Sequence, residues 1–290
     1  METTRPLRGE GDTALFLAAP HHDGRLVRPP RFRVRHWMAA LRALPDFVIV
    51  GAMKSGTSSL YSYLIKHPQI MPAFRKETHY FTRGKRAGYT ENWYRAHFPL
   101  KVAKGRRLTG EATAGYSFEP GAIEALSETV PDAKIIMLLR DPVERAISHY
   151  FHELRAGRET LPIEEAMAIE DDRQLAALRA GESGRETMIH ASYKRRGIYH
   201  EQIRRLWRHF PRNQVLVMGS TDVFEAPERA VARVCDFLGV KTMNEQIDYR
   251  IANRGTNRKP VPQSVRDELS AFFEPHNRAL EELLGKRLDW

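Results

Sequence analysis

The chain has one cysteine among 290 residues, Cys235, so no disulfide can form within it. It needs no such staple, because 42% of its residues are hydrophobic, ample for a single buried core. Cys235 falls in an amphipathic stretch, Val231 to Leu238, closed by Gly239, and reads as a small core residue rather than a nucleophile. Long apolar runs are missing too. Near the N-terminus the longest, Ala14 to Pro20, is far too short to cross a bilayer, and the Trp37–Val50 stretch is interrupted by Arg42 and Asp46. No signal peptide, anchor or integral membrane segment is therefore expected, and the expected setting is the reducing cytoplasm. The twelve histidines contain no His-x-x-x-His or Cys/His ligand spacing, so no bound metal is expected. No internal repeat or low-complexity segment stands out. Acidic residues are in deficit, 36 against 46 Lys and Arg, for a formal charge of +10 that suits anionic partners. The basic residues are dispersed, and zinc-finger, homeodomain and aromatic RNA-binding signatures are absent, which argues against nucleic acid.

What is present begins at Phe47. An apolar run, Phe47 to Val50, enters a loop carrying Gly51, Lys54 and Gly56, and Thr57, Ser58 and Ser59 then open a helical stretch. A strand, a tight glycine loop and a helix start gather backbone N–H groups and the positive end of a helix dipole at one spot. This is an anion cradle. The nucleoside-triphosphate loop places its lysine directly after the second glycine. Here that position is Thr57, and the lysine precedes Gly56 by two residues. A second constellation is Lys134-Ile-Ile-Met-Leu-Leu-Arg140-Asp141-Pro142, an apolar strand ending in arginine, with Asp141 as N-cap and Pro142 as first helical residue. In the helix that follows, Val143, Ala146, Ile147, Tyr150, Phe151 and Leu154 form one apolar stripe, leaving Ser148 off it and Arg145, His149 and His152 for the exposed side. Arg140 and Ser148 together offer a forked donor and a hydroxyl to one phosphate. Asp141 at a strand end also fits a magnesium ligand, but the arginine beside it argues against a cation.

The lysine-before-glycine order resembles the 5′-phosphosulfate loop of sulfotransferases that use 3′-phosphoadenosine-5′-phosphosulfate (PAPS). Arg140 and Ser148 resemble the element that holds the cofactor's 3′-phosphate in the same family. Lys76-Glu77-Thr78-His79-Tyr80-Phe81 is similar to the Lys-Glu-x-His-Phe-Phe segment of glycosaminoglycan sulfotransferases, and Gly110-Glu111-Ala112-Thr113-Ala114-Gly115-Tyr116 to their Glu-Lys-Thr-Pro-x-Tyr segment. The segment from Phe272 to Trp290 resembles the closing stretch of heparan sulfate O-sulfotransferase domains. The resemblance covers 47–290. Ala112 and Ala114 depart from it where lysine and proline are usual, so acceptor identity does not carry over, and a C-terminal disulfide seen in secretory-pathway relatives is precluded here.

The resemblance implies an α/β fold, a P-loop-like parallel sheet covered by helices on both faces. Residues 1–44, rich in Arg, Pro and Gly, read as a basic N-terminal arm, with a short helix at 37–44, ahead of a catalytic domain over 45–290. Strands are expected at 47–50, 70–72, 107–110, 134–139 and 214–218. Helices are expected at 57–66, 120–128, 143–156, 198–209, 227–238 and 264–285, the last broken at Pro275. Residues 157–195 read as a helical excursion beside the acceptor cleft.

Sulfuryl transfer to a hydroxyl needs a base, charge stabilisation and help for the leaving phosphate. Glu77 is the candidate base, with a plain ion pair to Lys76 or Arg75 as the alternative. His79 orients Glu77 or the acceptor, and is the base if Glu77 points away. Lys54 neutralises the leaving oxygen, and Ser55, Gly56, Thr57, Ser58 and Ser59 cradle the phosphosulfate. The resemblance adds Tyr199 near the adenine or 3′-phosphate, and Arg258 with Thr256 and Lys259 in a late basic loop. It places Glu111, Thr113 and Tyr116 at the acceptor. PAPS is the expected cofactor and PAP the product, with no metal, because a sulfuryl group carries one charge less than a phosphoryl group. The expected partner is a glycan or glycolipid acceptor. Two other readings remain, a nucleoside-triphosphate-dependent kinase and a non-catalytic binder of anionic glycans.

Overall fold

The computed structural model describes residues 30–242, 247–250, 260–288 and 290. At its centre is a five-stranded parallel sheet of β1 (Phe47–Gly51), β2 (Ile70–Pro72), β3 (Leu108–Ala112), β4 (Lys134–Leu139) and β5 (Val215–Gly219), in the order β2-β3-β1-β4-β5. Phe47 of β1 stands opposite Gly110 of β3 on one side and Lys134 of β4 on the other. The chain runs from β1 out to the β2 edge, returns through β3, then crosses to β4 and β5. The strand order thus reverses at β1, and in open parallel sheets the crevice beyond the carboxyl ends at such a point is where ligands bind.

Burial on both faces explains why β1 and β4 read as continuous apolar runs. Side chains alternate between two cores. Val48, Val50, Ile135 and Met137 pack with α3 (Ala122–Thr129) and α5 (Tyr199–His209) through Ile123, Leu126, Ile203 and Leu206. Phe47, Ile49, Ile136 and Leu138 pack with α2 (Thr57–Leu64) and α6 (Pro227–Leu238) through Leu60, Leu64, Val231 and Val234. Cys235 lies in this second core, fully buried. A third cluster joins α4 (Pro142–Arg155) to α7 (Gln263–Leu284) and to Ile163, Ala166 and Met167 of the helical excursion.

The expected elements are present, with three differences. β3 extends to Ala112, beyond the expected end at 110, and so carries Glu111 into the sheet. α7 continues through Pro275: Val265, Leu269 and Phe273 before the proline and Leu280 after it are all buried, and one lost amide bond does not outweigh that packing. The helix expected at 37–44 lies earlier, as α1 (Pro30–Trp37), and packs on the domain; the rest of the arm, residues 1–29, lies outside the described residues. Phe32 of α1 packs on Trp93 and His97, and Arg35 donates to the carbonyls of Ala96 and Phe98.

Gly110 of β3 lies against the ring of Phe47, its partner on β1. A Cβ there would stand 2.5–2.6 Å from the ring of Phe47, which is fully buried. Gly110→Ala is therefore expected to destabilise the domain by about 1–3 kcal/mol through overpacking. Urea unfolding checks this, and an unchanged midpoint would show that the strands can separate at no cost.

Candidate active site

Two loops cross the carboxyl ends of the adjacent strands β1 and β3. The first runs from Gly51 to Gly56. Gly51 has no room for a side chain, since a Cβ would meet Ser117 Oγ at 2.3 Å. Gly56 caps α2 in a left-handed conformation (φ 90°), and the ring of Phe224 lies 3.0 Å from where its Cβ would be. The first bond of the α2 ladder is Leu60 N–H to Gly56 O at 3.0 Å, so the amides of Thr57 and Ser58 lie ahead of it, as an anion site requires. Ser55, Thr57 and Ser59 are buried beneath the loop, while Lys54 and Ser58 retain surface.

The Arg140 element meets this loop directly. Arg140 Nη1 donates to Lys54 O at 3.2 Å, and the Tyr199 hydroxyl donates to Arg140 O at 2.9 Å. Tyr199 thus braces the arginine from a buried position. Asp141 Oδ1 accepts from Glu144 N–H at 2.8 Å, so this carboxylate caps α4, the role its sequence context suggested. Ser148 sits two turns along α4 and is nearly buried. His152, one turn further, is held down to about 4 by burial and then by the Lys54 charge.

The second loop carries Glu77. Its carboxylate takes Lys76 Nζ on Oε1 at 2.6 Å and has His79 Nε2 3.7 Å from Oε2. Burial by itself would raise this carboxyl, but Lys76 and His79 outweigh it and hold it well below the usual carboxylate range. The pair with Lys76 is real, yet it is no surface bridge: the Lys76 side chain is 7% exposed, whereas Glu77 keeps 31% and faces outward. Among the described residues, the non-glycine residues with positive φ are Lys54 (69°), Glu77 (59°) and His79 (53°). Such conformations cost on the order of 1–3 kcal/mol each and cluster at functional sites.

The strain at Glu77 and His79 is imposed from below. Thr78, between them, points inward and donates to Glu111, with its Oγ1 3.0 Å from Oε2. Glu111 also accepts from the hydroxyls of Tyr94 (2.7 Å), Thr113 (2.7 Å) and Tyr116 (3.2 Å). Burial raises this carboxyl, and the hydrogen bonds from Thr113, Tyr94 and Thr78 oppose the rise. Glu77 N–H bonds Ala112 O, and Tyr80 N–H bonds the Tyr116 hydroxyl. Glu111, Thr113 and Tyr116 were expected at the acceptor; the structure corrects this. All three are fully buried, because β3 runs on to Ala112 and turns Glu111 into the sheet interior. They position the Glu77 loop.

A second correction concerns α4. Arg145 and His149, expected on the exposed side, are fully buried, and only His152 of the three keeps substantial surface. Burial lowers both, His149 to about 3. Their burial follows from α7 and the excursion packing against α4 beside its apolar stripe. Glu153 on the same face receives Arg158 at 2.6 Å and His190 at 3.1 Å. Sequence reasoning also missed Glu119, almost buried near the Glu77 loop and joined to Arg185 at 2.7 Å and Arg86 at 3.5 Å. Nothing local marks it, since its partners come from distant segments. Thr256, Arg258 and Lys259 lie outside the described residues. No group of three His, Cys, Asp or Glu among the described residues is arranged to hold a metal ion, and no described helix is long and apolar enough to cross a membrane.

The chain has relatives of known kind. The family described as the sulfotransferase domain matches residues 44–258. The mouse protein heparan sulfate glucosamine 3-O-sulfotransferase 6 is 29% identical, over 94% of this chain and 81% of its own length. Membrane-associated sulfotransferase kil1 of Dictyostelium discoideum is 28% identical over 86% of this chain and 67% of its own. Among solved structures, a sulfotransferase from Alicyclobacillus acidocaldarius superimposes with a TM-score of 0.70 at 33% identity, covering 85% of this chain and 98% of that one.

Two outcomes follow for the Glu77 loop. Removing the Lys76 ammonium removes the main force depressing Glu77, so Lys76→Met is expected to move the acid limb of the kcat/KM profile to higher pH; an unmoved limb would assign that limb to another group. Glu111→Ala strips four donors of their acceptor and is expected to lower stability by about 1–3 kcal/mol. Because Glu77 loses its support, kcat should fall as well, with Glu111→Gln recovering part of both. A variant that loses stability yet keeps full kcat would show that the Glu77 loop holds itself.

Proposed function

The chain belongs to the sulfotransferase domain family, and we propose that it moves the sulfuryl group of PAPS by in-line displacement to a hydroxyl or amine of a carbohydrate-type acceptor, a glycan or glycolipid. The observation that carries this reading is the coincidence of strain and charge: Lys54, Glu77 and His79 are the strained non-glycine positions among the described residues, and two of them are ionised groups poised on neighbouring loops. The donor set fits a nucleotide with two anionic ends. The α2 amides, Lys54 and the loop hydroxyls would hold the phosphosulfate; Arg140 and Ser148 would hold the 3′-phosphate. Gly56 keeps the loop close under Phe224, whose ring lies beside the cradle. When bound, PAPS supplies the sulfuryl group and a phosphate leaving group.

The chain's own residues supply the rest. Glu77 stays ionised and accepts the acceptor's proton on the oxygen not taken by Lys76. His79 limits the directions in which that oxygen can turn. Lys54 places a permanent charge where negative charge develops on the departing oxygen. The kinase reading is the weaker one, because Asp141 is occupied as a helix cap and the lysine sits ahead of the glycine. A cytoplasmic setting belongs to the proposal, supported by a single, buried cysteine.

The test is transfer of labelled sulfate from PAPS to desulfated glycosaminoglycans, simple sugars and glycolipids in the presence of EDTA. Transfer is expected to survive EDTA and to fall about 10²–10⁴-fold in Glu77→Ala, with PAP binding retained. Failure to bind PAP would refute the cofactor assignment. Undiminished transfer in Glu77→Ala would remove Glu77 as base.

A further inference from the structure

Of the seven large apolar side chains left exposed among the described residues, four belong to two neighbouring segments: Val34 (61%), Trp37 (85%) and Leu41 (61%) from α1 and the turn after it, and Val102 (88%) from the turn Lys101–Lys104. The segments are joined by backbone: Arg42 bridges Leu100, and Ala43 N–H bonds Pro99 O. α1 is firmly seated. Phe32 fills a pocket between Phe74, Trp93 and His97, and Arg35 and Arg42 spend their charge on the carbonyls of Ala96 and Phe98. That seating leaves Trp37 pointing to solvent on a fixed helix.

The charge around these four side chains is of one sign. Residues 24–45 and 92–110 contain no Asp or Glu. Arg31, Arg33 and Lys101 are exposed, whereas among the described residues the acids bordering these stretches are taken or buried: Asp46 pairs with Lys104 at 2.9 Å, Glu91 with Arg95 at 2.6 Å, and Glu111 is inside the sheet. A second copy of the chain would set two positive faces against each other. A soluble polyanion would match the charge but leave Trp37, Val34, Leu41 and Val102 in water. An interface offering anionic headgroups over an apolar interior satisfies both sets, with tryptophan at its preferred headgroup depth.

We propose that this face docks the enzyme peripherally on an anionic lipid surface, through Trp37, Val34, Leu41 and Val102 set among Arg31, Arg33 and Lys101. Leu41 and Val102 precede β1 and β3, at the amino ends of the strands, while the candidate active site lies beyond the carboxyl ends. Docking therefore leaves the cleft open to its acceptor.

The experiment is sedimentation of the full chain with phosphatidylcholine vesicles, with and without phosphatidylglycerol. Binding is expected only with phosphatidylglycerol, and weaker at high salt. Trp37→Ser/Val102→Ser, both at exposed positions, should bind about tenfold more weakly or worse, with unchanged circular dichroism and unchanged transfer to a soluble acceptor. Arg31→Gln and Arg33→Gln should each cost about fivefold. No binding by the intact chain, or equal binding by the double variant, would overturn the proposal. So would binding to a soluble polyanion such as dextran sulfate in place of the vesicles. Shielding of the Trp37 fluorescence from acrylamide without lipid, read as the difference between the intact chain and Trp37→Phe, would show that the face is already covered, and would overturn it too.

Discussion

The buried carboxyl group of Glu111 sets the geometry of the Glu77 edge. A carboxylate inside a sheet is costly unless its lone pairs are filled, and here the hydroxyls of Thr78, Tyr94, Thr113 and Tyr116 fill them. Satisfying Glu111 pulls Thr78 inward. With Thr78 fixed, the residues on either side are driven outward in left-handed conformations, and those residues are Glu77 and His79. Net of lost hydration, each hydrogen bond to Glu111 contributes about 0.5–1.5 kcal/mol. Several of them offset two strained residues at about 1–3 kcal/mol apiece. The strain at the proposed base is thus maintained by a polar network on the opposite side of the loop.

The glycine-loop edge is organised differently, by backbone carbonyls. Arg140 grips Lys54 O, and Tyr199 grips Arg140 O, so that β4, the glycine loop and α5 are tied in series. Three segments far apart in sequence therefore share one rigid junction. Gly51 and Gly56 let the loop sit that close, against Ser117 and Phe224. The two edges meet because β1 lies between β3 and β4.

This arrangement also explains what could be read from the residues alone. The strand, loop and helix around Gly51–Thr57 are local, and their pattern is complete within a few residues, as is the Arg140-Asp141-Pro142 strand end with its cap. Glu111 was legible as important but not as buried, because one more pair of strand residues decides which way it points. Arg145 and His149 were misread for a related reason. An apolar stripe identifies the face of α4 that must be buried, but it cannot reveal that α7 and the excursion cover the remaining faces as well. Arg145 donates to the Tyr193 carbonyl and His149 lies 3.4 Å from Glu153, and neither burial can be read before the excursion folds back.

Electrostatics holds both edges in one charge state near neutral pH. Burial and the Lys54 charge push His152 down to about 4, so near neutrality it adds no charge beside Lys54 and Arg140. Lysine and arginine keep their protons well above neutral pH. The anion-binding edge therefore does not titrate between about pH 5 and 8 through His152. At the other edge, Lys76 and His79 keep Glu77 ionised over the same interval. A base held this low is thermodynamically weak, and it gains from its surroundings only if the proton it receives is stabilised by loss of the Lys76 pairing or by neighbouring acceptors. Position, rather than basicity, is what the Glu77 loop supplies, and this is why the network beneath it matters more than the carboxyl's own affinity for a proton.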